Sequence, residues 1–174
     1  MAHQAQYDFM NKVHTQFPSY FNKSKVLEVG SYNINGTLRT FFNEPSLYIG
    51  LDLAMGRDVD IVCSGHLYDS DERFDTLLSS ECFEHNEYWK ETIENMIRLS
   101  RKYSLIIFTC ATNNRPEHGT NRTSPLDSLT ASSSDYYKNL GISDFISVLD
   151  FNKIFLKYSF EINGDDLYFW GIVR

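Results

Sequence analysis

The sequence predicts an α/β domain: a mostly parallel sheet with helices on both faces, ending in an antiparallel hairpin. Three observations carry this. Short apolar runs alternate with amphipathic helical stretches along the chain. The runs are continuously apolar, as strands covered on both faces are. Near the end, Tyr158 to Ile162 and Leu167 to Val173 are β-rich and flank Asn163-Gly164-Asp165-Asp166, a hairpin signal.

Tyr7, Met10, Val13, His14 and Phe17 recur at spacings of three and four, which predicts an amphipathic helix over residues 4–17, stopped by Pro18. Lys25 to Val29 predicts the first strand, ended by Gly30. Thr37 to Phe42 predicts a short helix closed near Asn43 and Pro45. Ser46 to Leu51, Val59 to Cys63 and Phe74 to Ser79 predict strands two to four. Trp89, Ile93, Met96, Ile97 and Ser100 share one helical face, and Ser104 to Thr109 predicts the fifth strand. Residues 111–135 are rich in Asn, Arg, Ser, Thr and Pro and read as a long polar loop, which inside a compact domain is either functional or disordered. Tyr136 to Leu140 and Asp144 to Leu149 read as helical before the hairpin.

The 174 residues suit a single domain over 1–174, with 111–137 as a polar substrate or lid segment. Sixteen Lys and Arg against 23 Asp and Glu give a net charge of −7, which disfavours nucleic acid and anionic membranes as partners. No run approaches the ~18 apolar residues of a membrane span, and Met1 to Gln16 lacks the apolar core of a signal peptide, so a cytoplasmic protein is expected. Cys63, Cys82 and Cys110 are odd in number and widely spaced, as free thiols in a reducing compartment are. The aromatic residues and the edge hairpin permit a monomer or a homodimer.

In an open parallel sheet, ligands bind outside the carboxyl ends of the strands. Strand one ends in Glu28-Val-Gly30-Ser31-Tyr32-Asn-Ile-Asn-Gly36, where glycines admit a ligand close to the backbone. Strand two ends in Asp52, 24 residues after Glu28, which can accept the two hydroxyls of a ribose or simply be a solvated acid at a strand end. A nicotinamide dinucleotide needs G-x-G-x-x-G, yet Tyr32 stands where the second glycine belongs, and Glu28 would repel a diphosphate. S-adenosylmethionine carries a sulfonium and an ammonium and no phosphate, so it suits Glu28 better.

Val26-Leu-Glu-Val-Gly-Ser-Tyr-Asn-Ile-Asn-Gly36, Tyr48-Ile-Gly-Leu-Asp52 and Phe74-Asp-Thr-Leu-Leu-Ser-Ser-Glu-Cys-Phe-Glu-His85 resemble the successive motifs of class I S-adenosylmethionine-dependent methyltransferases over roughly residues 25–110. The nearest likeness is to bacterial methyltransferase-domain proteins of undefined substrate, which also carry a stretch like Thr109-Cys-Ala-Thr112 followed by Arg115-Pro-Glu-His-Gly-Thr120. The resemblance implies a three-layer, Rossmann-like, seven-stranded sheet with one antiparallel strand. It also implies cofactor contacts at Glu28, Gly30, Ser31, Tyr32 and Gly36, with Glu28 and Gly30 by the methionine moiety. Asp52 would hold the ribose, with Leu51 and Leu53 beside the adenine. Ser64-Gly65-His66 stands where many relatives carry an adenine-facing Asp, so a backbone group or His66 would substitute. Ser80 and Glu81, after strand four, would face the methionine end.

For the acceptor, His85 after strand four and His118 in the polar loop are the candidate bases, since imidazole titrates near neutrality. The alternative for His85 is that it orients the following helix. Arg115, Arg122 and Tyr136 are candidate acceptor contacts. Glu81, Glu84, His66 and His85 invite a metal reading, but no H-E-x-x-H or Cys/His spacing supports one, so no metal is expected. The phosphate-loop motif and the serine-hydrolase elbow are absent. Ser79-Ser-Glu-Cys82 replaces the Asn/Asp-Pro-Pro-aromatic run of enzymes that methylate amino groups on adenine or glutamine, and neither Cys82 nor Cys110 follows a proline. The expected function is methylation of a small polar acceptor, a hydroxyl of a sugar or metabolite. The competing readings are a non-catalytic nucleoside-binding partner subunit of the same fold and an NAD-dependent oxidoreductase.

Overall fold

Burial of the apolar runs from both sides is what the chain achieves in the computed structural model, which describes residues 4–128, 130 and 135–174. In chain order the elements are α1 (Gln4–Gln16), β1 (Lys25–Val29), β2 (Leu47–Asp52), β3 (Ile61–Val62), β4 (Phe74–Ser80), α2 (Trp89–Leu99), β5 (Ser100–Ala111), α3 (Ile142–Val148), α4 (Phe151–Ile154), β6 (Phe155–Asn163) and β7 (Asp166–Val173). Seven strands form one sheet in the order β3-β2-β1-β4-β5-β7-β6. Pairing is parallel from β3 to β5, and β7 runs antiparallel to both β5 and β6. The expected α/β class and terminal hairpin are therefore present.

Two cores cover the sheet. On one face Trp89, Ile93 and Met96 of α2 and Phe145 of α3 pack with Leu77, Ile106 and Phe108. On the other, Phe9, Met10 and Val13 of α1 pack with Val26, Leu78, Ile107 and Trp170. Pro18 opens a single 3-10 turn directly after α1, as its missing N–H and fixed φ require.

Three local expectations fail for non-local reasons. Residues 136–140 are not helical: the Lys138 N–H donates to the Glu84 carbonyl at 2.8 Å and the Leu140 N–H to the Ala111 carbonyl at 2.9 Å. Backbone groups paired with a neighbouring segment cannot also form a helical ladder. Thr37 to Phe42 holds only a 3-10 turn, Arg39–Phe41, so no α-helix follows the turn after β1. β3 shrinks to two residues at the sheet edge, and Asp58 just before it has a φ of 64° that interrupts the extended chain. β5 begins earlier than expected, at Ser100, because Ser104 donates to the Phe74 carbonyl at 2.6 Å and holds a kink in register with β4.

Strand order reverses at β1: β2 leaves to one side and β4 lies on the other. In open α/β sheets a crevice forms at such a reversal, beyond the carboxyl ends of the strands. No helix among the described residues is long and apolar enough to cross a membrane.

Candidate active site

The turns leaving β1, β2 and β4 wall a cleft of about 360 Å³, within the ~300–1,000 Å³ usual for small-ligand sites. Gly30, at a φ of 80°, makes the first wall, and a Cβ there would fall 2.6 Å from both Cβ and Sγ of Cys82. Glycine alone permits that close approach. The Gly30 and Ser31 N–H groups both donate to the Leu51 carbonyl, at 2.9 and 3.0 Å, which folds the turn over β2.

Asp52 ties the next wall. Its Oδ2 accepts from the Tyr32 N–H at 3.0 Å and its Oδ1 from the Leu53 N–H at 2.7 Å. Burial raises its pKa, and these N–H bonds oppose the rise. Each carboxylate oxygen keeps a further lone pair for a ligand hydroxyl. Ser64, Gly65 and His66 line the cleft beyond. Ser64 Oγ and His66 Nδ1 are 2.7 Å apart, and the His66 ring stacks on Tyr88 with centroids at 4.3 Å. Asp52, Glu81, Glu87 and Asp127 line the cleft, and among the described residues lining it there is no lysine or arginine.

A second chamber of about 450 Å³ shares Glu81, His85 and Asp127 with the first. Asn35, Arg115, Glu117, His118, Thr123 and Ser124 complete much of its polar wall. Glu81, on the boundary, has a φ of 50°, a left-handed backbone that a residue with a Cβ rarely adopts. The Glu81 N–H donates to the Thr109 carbonyl at 2.9 Å, and Thr109 Oγ1 donates to Glu81 Oε1 at 2.8 Å. Strain of this kind collects at functional sites.

The rings of His85, His118 and Tyr137 cluster with centroids 5.1 to 5.3 Å apart. Gly119, at a φ of 62°, lets the loop pass over His85, since a Cβ there would lie 2.8 Å from the imidazole Cε1. Burial, helped by the neighbouring His118, pushes the His85 pKa down to about 3, so its ring is neutral at neutral pH. Burial and the adjacent Glu81 carboxylate push Glu84 up to about 8. Burial likewise pushes the Cys82 thiol up to about 12, which removes it as a nucleophile.

No protein-family model and no curated protein matches the chain. Solved structures do match its fold. A 1,6-didemethyltoxoflavin-N1-methyltransferase from Burkholderia thailandensis, with bound 1,6-didemethyltoxoflavin and S-adenosylhomocysteine, aligns over 100% of this chain and 92% of its own at a TM-score of 0.63 and 12% identity. A magnesium protoporphyrin IX methyltransferase from Synechocystis PCC 6803, with bound S-adenosylmethionine, aligns over 99% and 80% at 0.64 and 11% identity. The N-terminal domain of EvdMO1, with S-adenosylhomocysteine and D-fucose, aligns over 100% and 85% at 0.61 and 16% identity. The fold is that of the class I methyltransferases.

Within this class I methyltransferase fold, Gly30, Tyr32, Asp52, Leu53, Ser64, Gly65, His66 and Glu81 all line the first chamber. Glu28 does not. It is buried away from both chambers and accepts a hydrogen bond from the Tyr48 hydroxyl at 2.7 Å. Ser31 and Ser80 are also buried outside the lining, Ser80 with its hydroxyl 3.2 Å from that of Thr109, and Gly36 lines neither chamber.

His85 and His118 meet, and Arg115 lines the second chamber while ion-pairing with Asp166 at 3.0 Å. Arg122 is held by Glu117 and Asp135, at 3.0 and 2.8 Å, and lines neither chamber, nor does Tyr136. Positions 129 and 131–134 of the polar loop lie outside the described residues. Sequence reasoning missed Tyr88, Asn86, Asp127 and Ser128, none of which sits at a strand end. It also set aside a metal, whereas the fold gathers Glu84, His85 and His118.

Proposed function

We propose that the chain transfers a methyl group from S-adenosylmethionine to a hydroxyl of a small polar acceptor, a sugar or similar metabolite. The observation that carries this reading is the pair of chambers joined at Glu81, His85 and Asp127. Transfer between two small molecules needs both held head to head.

The first chamber's residues fit the nucleoside. Asp52 has lone pairs for two ribose hydroxyls, and Gly30 leaves room at the turn. The stacked His66 and Tyr88 offer a flat surface near Ser64 and Gly65, where an adenine-facing Asp is lacking. When bound, S-adenosylmethionine supplies a methyl carbon on a sulfonium leaving group. Four lining carboxylates attract that cation and would repel the diphosphate of a nicotinamide dinucleotide. The second chamber's mixed Arg115, Glu117, His118 and Asn35 lining suits a hydroxyl-rich acceptor over an apolar one. The EvdMO1 domain was crystallised in the presence of S-adenosylhomocysteine and D-fucose, which fits a sugar as one such acceptor. His85 touches the acceptor as a neutral ring. With its pKa near 3 it is a poor proton acceptor at neutral pH, where efficient bases titrate close to the working pH.

Calorimetric titration with S-adenosylmethionine, S-adenosylhomocysteine and NAD tests the cofactor. Both sulfur nucleosides should bind and NAD should not. Losing two charge-assisted hydrogen bonds in Asp52→Ala should weaken the nucleosides by about 30- to 1,000-fold, about 2–4 kcal/mol. Failure of either sulfur nucleoside to bind the wild type would overturn the reading.

A further inference from the structure

In the proposed reaction the acceptor hydroxyl must lose its proton. Three groups from two parts of the chain meet beside the second chamber, which His85 and His118 line. Glu84 and His85 follow β4, and His118 comes from the loop after β5. One ligand-type atom from each lies within 4.8 Å of the other two.

Their hydrogen bonding points to an ion. Glu84 is 0% exposed, yet neither carboxylate oxygen has a hydrogen-bond partner, and among the described residues no basic side chain pairs with it. The backbone N–H groups of Glu84 and Ala111 approach it without reaching hydrogen-bond geometry. Nδ1 of His85 is also buried without a partner. Buried polar groups are almost always satisfied, so two orphans side by side indicate a missing partner. His118 Nδ1 lies 3.1 Å from the Pro116 carbonyl. That bond places the hydrogen on Nδ1 and leaves the Nε2 lone pair free, the arrangement of metal-bound histidines.

We propose that Glu84, His85 and His118 bind a divalent transition-metal cation that holds the acceptor hydroxyl in the second chamber. The acceptor part rests on the methyltransferase reading; the cation site does not. Two imidazoles and a carboxylate favour Mn²⁺, Fe²⁺, Co²⁺ or Zn²⁺ over Mg²⁺ and Ca²⁺, which prefer oxygen shells. Three protein ligands leave coordination positions for the acceptor. A cation lowers the pKa of an oxygen bound to it. The hydroxyl then gives its proton to solvent water, and its oxygen bonds to the methyl carbon of S-adenosylmethionine. The carbon–sulfur bond breaks, its electron pair stays on sulfur, and the sulfonium becomes a neutral thioether. Acceptors presenting one or two adjacent hydroxyl oxygens are selected.

The test uses Co²⁺ alone as probe, on the full chain freed of metal by chelation. Equilibrium dialysis and the visible cobalt absorption should show one bound equivalent in the wild type. His118→Ala, a loop variant outside the buried core, should weaken binding by at least about ten-fold, the scale on which even supporting groups act. Glu84→Gln, which keeps the side chain's shape, should do the same. S-adenosylhomocysteine titration of each sample reports folding and reads the cofactor assignment separately. Absence of a stoichiometric cobalt site in a wild type that binds the nucleoside overturns the cation proposal alone. Equal cobalt affinity in wild type, His118→Ala and Glu84→Gln overturns it too, since the ion is then adventitious. Cobalt bound by these ligands without any nucleoside binding upholds the cation site and overturns the methyltransferase reading.

Discussion

Glu28→Gln separates two accounts of the same residue. The motif resemblance puts Glu28 beside the methionine end of a cofactor, while the structure buries it at 4% exposure under Tyr48. Arg39 lies over the Tyr48 ring, 4.2 Å from its centroid, and ion-pairs with Asp60. Burial pushes the Glu28 carboxyl up from 4.5 to about 7, opposed by the Tyr48 hydrogen bond and the Arg39 charge. A carboxyl whose pKa is raised on folding binds its proton more tightly in the folded state. Its stabilising effect is complete below the unfolded value and is lost as pH rises through the folded one, here between 4.5 and about 7. At 1.36 kcal/mol per pH unit the whole loss is about 3 kcal/mol, of which about 2.5 kcal/mol falls between pH 5 and pH 8. Glutamine keeps an acceptor for Tyr48 and cannot ionise. Urea unfolding at the two pH values should therefore show Glu28→Gln gaining about 2.5 kcal/mol on the wild type as pH rises. Other raised groups, Glu84 among them, are common to both proteins and cancel. S-adenosylhomocysteine affinity should stay within about three-fold, under 0.7 kcal/mol. A stability difference that does not change with pH would mean the carboxylate is hydrated, and a ten-fold loss of nucleoside affinity would return Glu28 to the cofactor.

Glu81 tests the boundary between the chambers. At a φ of 50° a glycine avoids the Cβ clash that an alanine meets, so Glu81→Gly should be more stable than Glu81→Ala by about 1 kcal/mol, the reverse of their usual order. Denaturant titration of the pair decides it, and an alanine variant of equal or greater stability would deny the strain. Phe145 anchors α3 with rings of Trp89 and Phe108 at 5.0 and 4.5 Å and is fully buried. Phe145→Ala should cost about 3–5 kcal/mol in urea unfolding, and a cost below about 1 kcal/mol would mean that α3 is not docked as described.

The strands were legible where burial comes from both sides. Val26 and Leu27 face opposite cores, so β1 reads as an unbroken apolar run whatever the neighbours are. β3 was overestimated because an edge strand with exposed Ile61 and Val62 is ended by its flanking backbone, and no apolar pattern records that. Residues 136–140 were misread because their N–H groups pair with Glu84 and Ala111, partners that helical periodicity cannot see. The site divides in the same way. Asp52 and Ser64 to His66 stand just past strand ends, where a parallel sheet puts its ligands, so position alone marks them.

Glu28 stands in a strand too, but position does not say which way a side chain points. Strand alternation sends it to the face of Val26 and Tyr48. The metal-type cluster is the sharper case. His85 and His118 were each singled out, 33 residues apart, and no ligand-spacing motif joins them. What joins them is Gly119, whose left-handed backbone brings the loop against the His85 ring. Glu84 reads in the sequence as one more acid ahead of an amphipathic helix. Only its burial without a hydrogen-bond partner distinguishes it from the solvated carboxylates nearby. A sequence records which groups are available, whereas catalysis depends on which of them are desolvated together, and that is decided by contacts far apart along the chain.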